Sequence, residues 1–295
     1  MKDSPRCGLT LVETLVSLAI IALLMGLLFP AIQAMRESAN RTACGNNMRQ
    51  VALALHSFEG CFSRLPGTMG QAGKRELLHW QAHILPFLEQ DSLMLAIDRK
   101  LEEGIHVYYM HEERATNIPV FQCPVNPDQG LLISPQIGNL FAFTDYCGVA
   151  GAQSRDLSGV FRGNPNLPGI YFSEIGDGLS NTLMFGERPP SGRGDGYGPW
   201  LGSQNSLSAT IGVTDSAESL QNIPDFIHCP GYNYGFGMGV RGSNCSWTHH
   251  WSYHRGGAHF AICDGAIQFL PYQICRDILQ ALATRAGGET INLDF

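Results

Sequence analysis

The side chain whose placement has the largest chemical consequence is Glu13. It stands near the head of GLTLVETLVSLAIIALLMGLLFPAIQAM (Gly8–Met35), and no charged residue follows it from Thr14 to Met35. A carboxylate at the edge of about 30 Å of hydrocarbon is costly unless something pairs with it. A second group of reactive side chains comes late: His249, His250, His254 and His259, with His228, Cys229, Cys245 and Cys263 nearby. These are metal-ligand types, but their spacing matches no zinc template, and no metal is expected among them. His254 and Asp264 are expected instead to hold a hairpin and the preceding Gly256-Gly257 turn through side-chain hydrogen bonds. Asp177, Asn181 and Glu187 offer a third, oxygen-rich set without EF-hand spacing. An Asx-turn at Asp177-Gly178, ordered by Ser180 and Asn181, accounts for the first two without an ion. G-x-S-x-G, Walker A and H-E-x-x-H are all missing, so neither an enzyme nor a cofactor is expected.

Glu13 needs an element to carry it. The apolar run is long enough to cross a bilayer as a helix. Lys2 and Arg6 precede it and favour a cytoplasmic N-terminus. A secretory signal would end at a small-residue cleavage site after the apolar region. The chain instead continues as AIQAMRESANRTACGNN, so the apolar segment is expected to be retained as an anchor. Beyond it Met48, Val51, Ala52, Leu55 and Phe58 recur at spacings of three and four, a one-sided stripe. One helix from Thr10 to Glu59 follows, about 75 Å long at 1.5 Å per residue, loosened at Pro30 and capped near Gly60.

The remainder reads as a loop-rich domain, with Gly 34 and Pro 16 among 295 residues. A helical segment over Leu77–Lys100 breaks at Pro86, with Leu88, Leu93, Leu95 and Ile97 as core candidates. FQCP (Phe121–Pro124) reads as a strand end, Phe141–Ala150 as a strand, and the chain from Thr182 as another. The clearest hairpin is Ala258–Cys263 and Ala266–Leu270 about Asp264-Gly265. A last helix spans Gln273–Arg285 before Gly287-Gly288. Pro189 to Pro224 is a long excursion without period. Tyr197, Trp200, Tyr232, Tyr234, Phe236, Trp247 and Trp251 in and after it are candidate stacking groups for a glycan or a partner protein, or equally groups that pack the loop onto the domain.

A net charge of −7 with no basic stripe argues against nucleic acid. Nine cysteines point to an oxidising, extracytoplasmic compartment, and cleavage after Gly8 would remove Cys7 and leave an even number. The Gly-rich segment between Cys229 and Cys245 needs a staple, which makes them the first candidate disulfide. Cys44 and Cys123, tying the helix to the strand region, are the second. Cys147, Cys263 and Cys275 sit in apolar settings as plain core residues.

The stretch Gly8-Leu9-Thr10-Leu11-Val12-Glu13 resembles the processing motif of type IV pilins and of type II secretion pseudopilins. That resemblance implies cleavage after Gly8 by a prepilin peptidase and methylation of Leu9, where the family usually has Phe. It also implies assembly with like subunits through Glu13 and Pro30. Four further stretches resemble the DUF1559 family: RTACGNNMRQVALALHSFEG (Arg41–Gly60), FQCPVNP (Phe121–Pro127), EIGDGLSNTLMFGE (Glu174–Glu187) and HRGGAHFAICDGAIQFL (His254–Leu270). The last holds that family's H-x9-DG signature, here His254 with Asp264 and Gly265. The fold implied is α+β, a long N-terminal helix on an antiparallel sheet with insertions. Its divisions are a leader (1–8), a transmembrane helix (9–35), an amphipathic continuation (36–60) and an extracytoplasmic domain (61–295). The resemblance to pseudopilins also admits calcium at Asp177 and Asn181. The expected role is structural or adaptor-like, at the bacterial inner membrane with the domain periplasmic or extracellular. The alternative is an anchored module binding an extracellular solute or glycan.

Overall fold

Thr10 opens helix α1 (Leu11–Phe62) by a reciprocal cap, its hydroxyl accepting from Glu13 N–H at 3.3 Å while the Glu13 carboxylate accepts from Thr10 N–H at 2.8 Å. The computed structural model describes residues 10–68, 78–128, 130–133, 140–154, 157–162, 164, 167–190, 200–202, 209–215 and 235–289. Helix α1 runs unbroken through Pro30. It also passes Gly60, the expected cap. Ser63 takes the left-handed conformation at φ 57° instead, with its N–H on the Glu59 carbonyl.

The chain divides into two compact units, Met1–Thr42 and Ala43–Phe295. In the first, an 18-residue window of α1 has mean hydropathy 2.7 and none of it is buried, a length and composition able to cross a membrane. In the second, the stripe read from the sequence is the buried face: Met48, Val51, Ala52 and Leu55 are enclosed, joined by Cys44 and Ala54. Each large side chain here contributes on the order of 1.5–3 kcal/mol of burial.

The expected helix over Leu77–Lys100 is three pieces: α2 (Trp80–His83), a 3-10 turn at Leu85–Leu88 containing Pro86, and α3 (Asp91–Glu102). Ile97 is fully buried and Leu88 and Leu93 pack against the core, but Leu95 faces outward. Helix α4 (His111–Arg114) and a 3-10 turn at Pro119–Phe121 lead to Cys123. FQCP therefore ends a helical turn, not a strand.

A two-stranded ribbon pairs β1 (Leu131–Ile133) with β2 (Leu140–Ala142). The main sheet holds β3 (Tyr146–Gly151), β4 (Leu183–Glu187), β5 (Thr210–Gly212), β6 (Gly257–Ile262) and β7 (Ile267–Pro271) in the order β5-β3-β4-β6-β7. The single strand expected over Phe141–Ala150 is thus split between two sheets by the turn at Thr144-Asp145. The sheet is mixed rather than antiparallel, since β5 joins β3 in parallel, Val149 opposite Ile211. A strand arriving after a long connection is free to pair that way, whereas a tight hairpin is not.

Along β6 the side chains alternate. Ala258, Phe260 and Ile262 enter a core with Leu279 and Leu282 of helix α5 (Arg276–Ala283), while Ala261 and Cys263 enter the core shared with α1. His259 therefore shares the α1 side. In β4 a register shift between Leu183 and Phe185 turns Phe185 to that side as well, and Glu187 follows two residues on. The hairpin turn falls at the expected Asp264-Gly265. Gly265 has φ 90°, and the Asp264 carboxylate accepts the Ala266 N–H at 2.9 Å. Gly45 and His56 of α1 lie against this hairpin, at Ile267 and Gly265 respectively.

Candidate functional site

The head of α1 is the first locus. Glu13 Oε2 accepts from both the Thr10 N–H and the Thr10 hydroxyl, each at 2.8 Å. The T-x-x-E spacing that produces this cap is plain in the sequence, and it adds Thr10 to the residues that position the acid. Around it Leu11, Val12, Leu15 and Val16 are exposed. Gly8 and Leu9 lie outside the described residues.

The second locus is buried and draws on four separate segments. Cys44 of α1 is joined by a disulfide to Cys123, which follows the 3-10 turn at Pro119–Phe121. His254, from the turn before β6, places Nε2 3.4 Å from Cys123 Sγ and 3.5 Å from Oε1 of Glu187, the last residue of β4. One ligand-type atom from each of Cys44, Cys123, Glu187 and His254 lies within 4.8 Å of the others, and all four residues are buried.

The surroundings fix the orientation of these groups. Glu187 Oε2 accepts the His259 N–H at 2.7 Å and faces His259 Nδ1 at 3.1 Å. Among the described residues its Oε1 has no hydrogen-bond partner. A buried carboxylate oxygen left unbonded is costly, so its aim at His254 and the two sulfurs calls for a physical reason. The Cys123 N–H donates to Asp145 Oδ2 and Asn126 Nδ2 donates to Oδ1, both at 2.6 Å, and burial pushes the Asp145 carboxyl up to about 7. Ser252 Oγ accepts the His254 N–H at 3.0 Å and donates to the Gly257 carbonyl at 2.7 Å. The His254 ring packs edge-on against His259 at 5.0 Å.

Several expected site residues fall elsewhere. The His254 ring meets Cys123 and Glu187, its N–H joins the Ser252 hydroxyl that bonds the Gly257 carbonyl, and Asp264 closes the hairpin. His249 and His250 do not join the cluster. Burial, with the Arg188 charge added, pulls them down to about 4 and about 3, so both are neutral core groups. Cys245 is disulfide-bonded, while Cys229 and His228 lie outside the described residues. Cys147 and Cys263 are free and buried, but Cys275, expected in the core, is exposed, as is Cys61.

Asp177 accepts the Gly287 N–H at 2.7 Å and the Gly288 N–H at 2.8 Å, one on each carboxylate oxygen, and Asn181 Nδ2 donates to the Asp177 carbonyl. These bonds tie the turn to the end of the chain, and Glu187 belongs to the buried cluster. The candidate stacking aromatics are also reassigned. Trp200, Phe236, Trp247 and Trp251 are core residues, Trp200 donating its indole N–H to the Thr116 carbonyl. Tyr197, Tyr232 and Tyr234 lie outside the described residues.

Residues 3–29 match the prokaryotic N-terminal methylation motif, the span that holds Gly8, Leu9 and the Thr10–Glu13 cap. Comparison with curated proteins and with solved structures finds no match. Residues 33–277 match the family described as protein of unknown function (DUF1559), a span that takes in all four members of the buried cluster. With a pilin-like head on a domain matched over most of its length, the chain belongs to the DUF1559 family.

Proposed function

We propose that this chain is a membrane-anchored, pilin- or pseudopilin-like subunit, processed after Gly8 by a prepilin peptidase and serving a structural or adaptor role without catalysis. The observation that carries the reading is a coincidence at one place. The methylation motif covers residues 3–29, and there an exposed apolar helix begins with an acid already oriented by Thr10. A carboxylate has about four lone-pair sites and Thr10 fills two hydrogen bonds, so Glu13 retains capacity for a further cation. After cleavage the α-amine of Leu9 in a neighbouring subunit is such a cation. An ion pair within lipid sets axial register, as a buried polar residue does in a coiled coil. Type II secretion and type IV pilus-like filaments are the assemblies of this construction. The N-terminus then faces the cytoplasm and the domain lies on the opposite side of the inner membrane.

Mass spectrometry of the mature N-terminus tests the processing: a methylated Leu9 is expected, and an intact Met1 would refute it. Crosslinking between like subunits tests the assembly. It is expected to vanish in Glu13→Ala while the domain's melting temperature stays within the shift of about 0.5 kcal/mol typical of a remote surface change. Undiminished crosslinking would remove Glu13 from the interface.

A further inference from the structure

We infer that Cys44, Cys123, His254 and Glu187 form a divalent-metal site of the zinc class, and that the disulfide is the metal-free, oxidised state of the same four residues. The set contains two thiolate donors, one imidazole and one carboxylate, all of them donors that zinc accepts in tetrahedral sites. Bond lengths of about 2.0–2.3 Å place ligand atoms of a tetrahedron about 3.3–3.8 Å apart. Two edges already have that length, His254 Nε2 to Cys123 Sγ at 3.4 Å and His254 Nε2 to Glu187 Oε1 at 3.5 Å. Every remaining pair of donor atoms lies within 4.8 Å.

The unbonded Glu187 Oε1 is the independent observation that points to a ligand. His259 holds Oε2 by its backbone N–H and faces it with its ring. This leaves Oε1 aimed into the cluster, as an outer partner does for a carboxylate ligand. In the disulfide state Oε1 has only the 3.5 Å approach of His254 and no hydrogen bond among the described residues, whereas a cation between the four groups gives it a bonded partner. The ligands arrive from helix α1, the Cys123 turn, the end of β4 and the His254 turn. An ion there would staple the helix to the sheet, and its binding energy would add to folding.

The two states exchange with balanced atoms. A dithiol reductant reduces the S–S bond, delivering two hydrogens to give two thiols and becoming a disulfide itself. A divalent ion then binds the two thiolates and releases two protons. In reverse, loss of the ion frees the thiols. A disulfide-bearing oxidant takes their two hydrogens and the S–S bond reforms.

The test uses the full chain in detergent, reduced with a phosphine, freed of reductant without air and titrated with Co2+. One equivalent is expected to bind with thiolate-to-cobalt charge-transfer absorption and tetrahedral d–d bands, and Zn2+ should displace it. The oxidised chain, its Cys44–Cys123 bond intact, is expected to show none of this. Cys44→Ser with Cys123→Ser should abolish the charge-transfer band. Glu187→Gln should keep the band but weaken binding by about 10-fold or more. No charge-transfer band in the reduced wild-type chain, a band equal in the oxidised chain, or a band retained in the double serine variant would each overturn the site. The first two readings need no variant to fold.

Discussion

Between Leu11 and Met35 helix α1 leaves its leucines and isoleucines exposed, Leu23 at 66%, whereas between Cys44 and Leu55 its apolar face is enclosed, Leu55 at 0%. Both stretches are apolar sequence in the same regular helix. The first has apolar residues all round, which suits a surrounding of lipid or other helices. The second confines them to one stripe, which suits a single domain face. The two acids repeat the contrast. Glu13 is held by its own helix cap and is otherwise open to another molecule, while Glu187 is held by His259 and directed at groups of its own chain. Among the described residues the apolar surface of one region is exposed, and that of the other is enclosed.

A pair of truncations gives the largest separation. Leu55→Ala is expected to destabilise the domain by about 2–5 kcal/mol, through lost burial and the cavity left behind. Leu23→Ala should leave domain stability within about 0.5 kcal/mol. Denaturant melts of the detergent-solubilised chain, followed by tryptophan fluorescence, measure both. Equal effects would abolish the distinction. The acids are the next pair. In the oxidised chain Glu187→Ala leaves the buried His259 N–H without its acceptor and is expected to cost about 1–3 kcal/mol. Glu13→Ala removes an N-terminal cap far along the chain and should not shift the same melt.

Much of this contrast was legible in the sequence. The uncharged run, the spacing of Met48, Val51 and Leu55, and the Asp264-Gly265 turn each rest on neighbours within a few residues, where local rules operate. The buried cluster was legible only in part. The Cys44–Cys123 disulfide, across 79 residues, is the second candidate pair and is observed, but nothing local points from His254 to Glu187. For Trp200, Trp247 and Trp251 the sequence leaves stacking on a ligand and packing onto the domain equally open, because their segments lack a period. Yet a large ring is buried wherever the fold supplies a pocket, and for Trp200 the Thr116 carbonyl also accepts the indole N–H. The parallel pairing of β5 was hidden for a related reason: three residues in a Gly- and Ser-rich stretch carry no directional signal.

Acid separates the regions by a smaller margin. His249 and His250 are neutral in the folded domain, with values of about 4 and about 3, and titrate near 6.5 when unfolded. Between those limits the unfolded chain binds more protons, so their contribution is complete above about pH 6.5 and is lost as pH falls towards 3. The tryptophan signal of the domain, with Trp247 and Trp251 beside these histidines in sequence, should therefore be lost on acidification before the helical signal of Leu11–Met35. His250→Gln should flatten that acid limb. An unchanged limb in this variant and in His249→Gln would place the acid sensitivity elsewhere.

Thiol labelling sharpens the comparison without disturbing stability. Cys61 lies on the same helix as Cys44, but it is free and exposed where Cys44 is buried and bonded to Cys123. Reaction requires a thiolate that reagent can reach. Burial holds the Cys147 thiol up at about 11 and raises Cys263 further, so both lack the thiolate and the access. In the unreduced, folded chain a maleimide should modify Cys61 and Cys275 and leave Cys147 and Cys263 until denaturant is added, as peptide mapping would show. Labelling of Cys44 or Cys123 under those conditions would mean that the sulfurs are not bonded. The enclosed half of α1 would then be stapled by packing alone, or by an ion that the label displaces. Repeating the reaction on reduced chain with and without Zn2+ distinguishes these cases, since a bound ion protects both thiolates and packing alone does not respond to the metal.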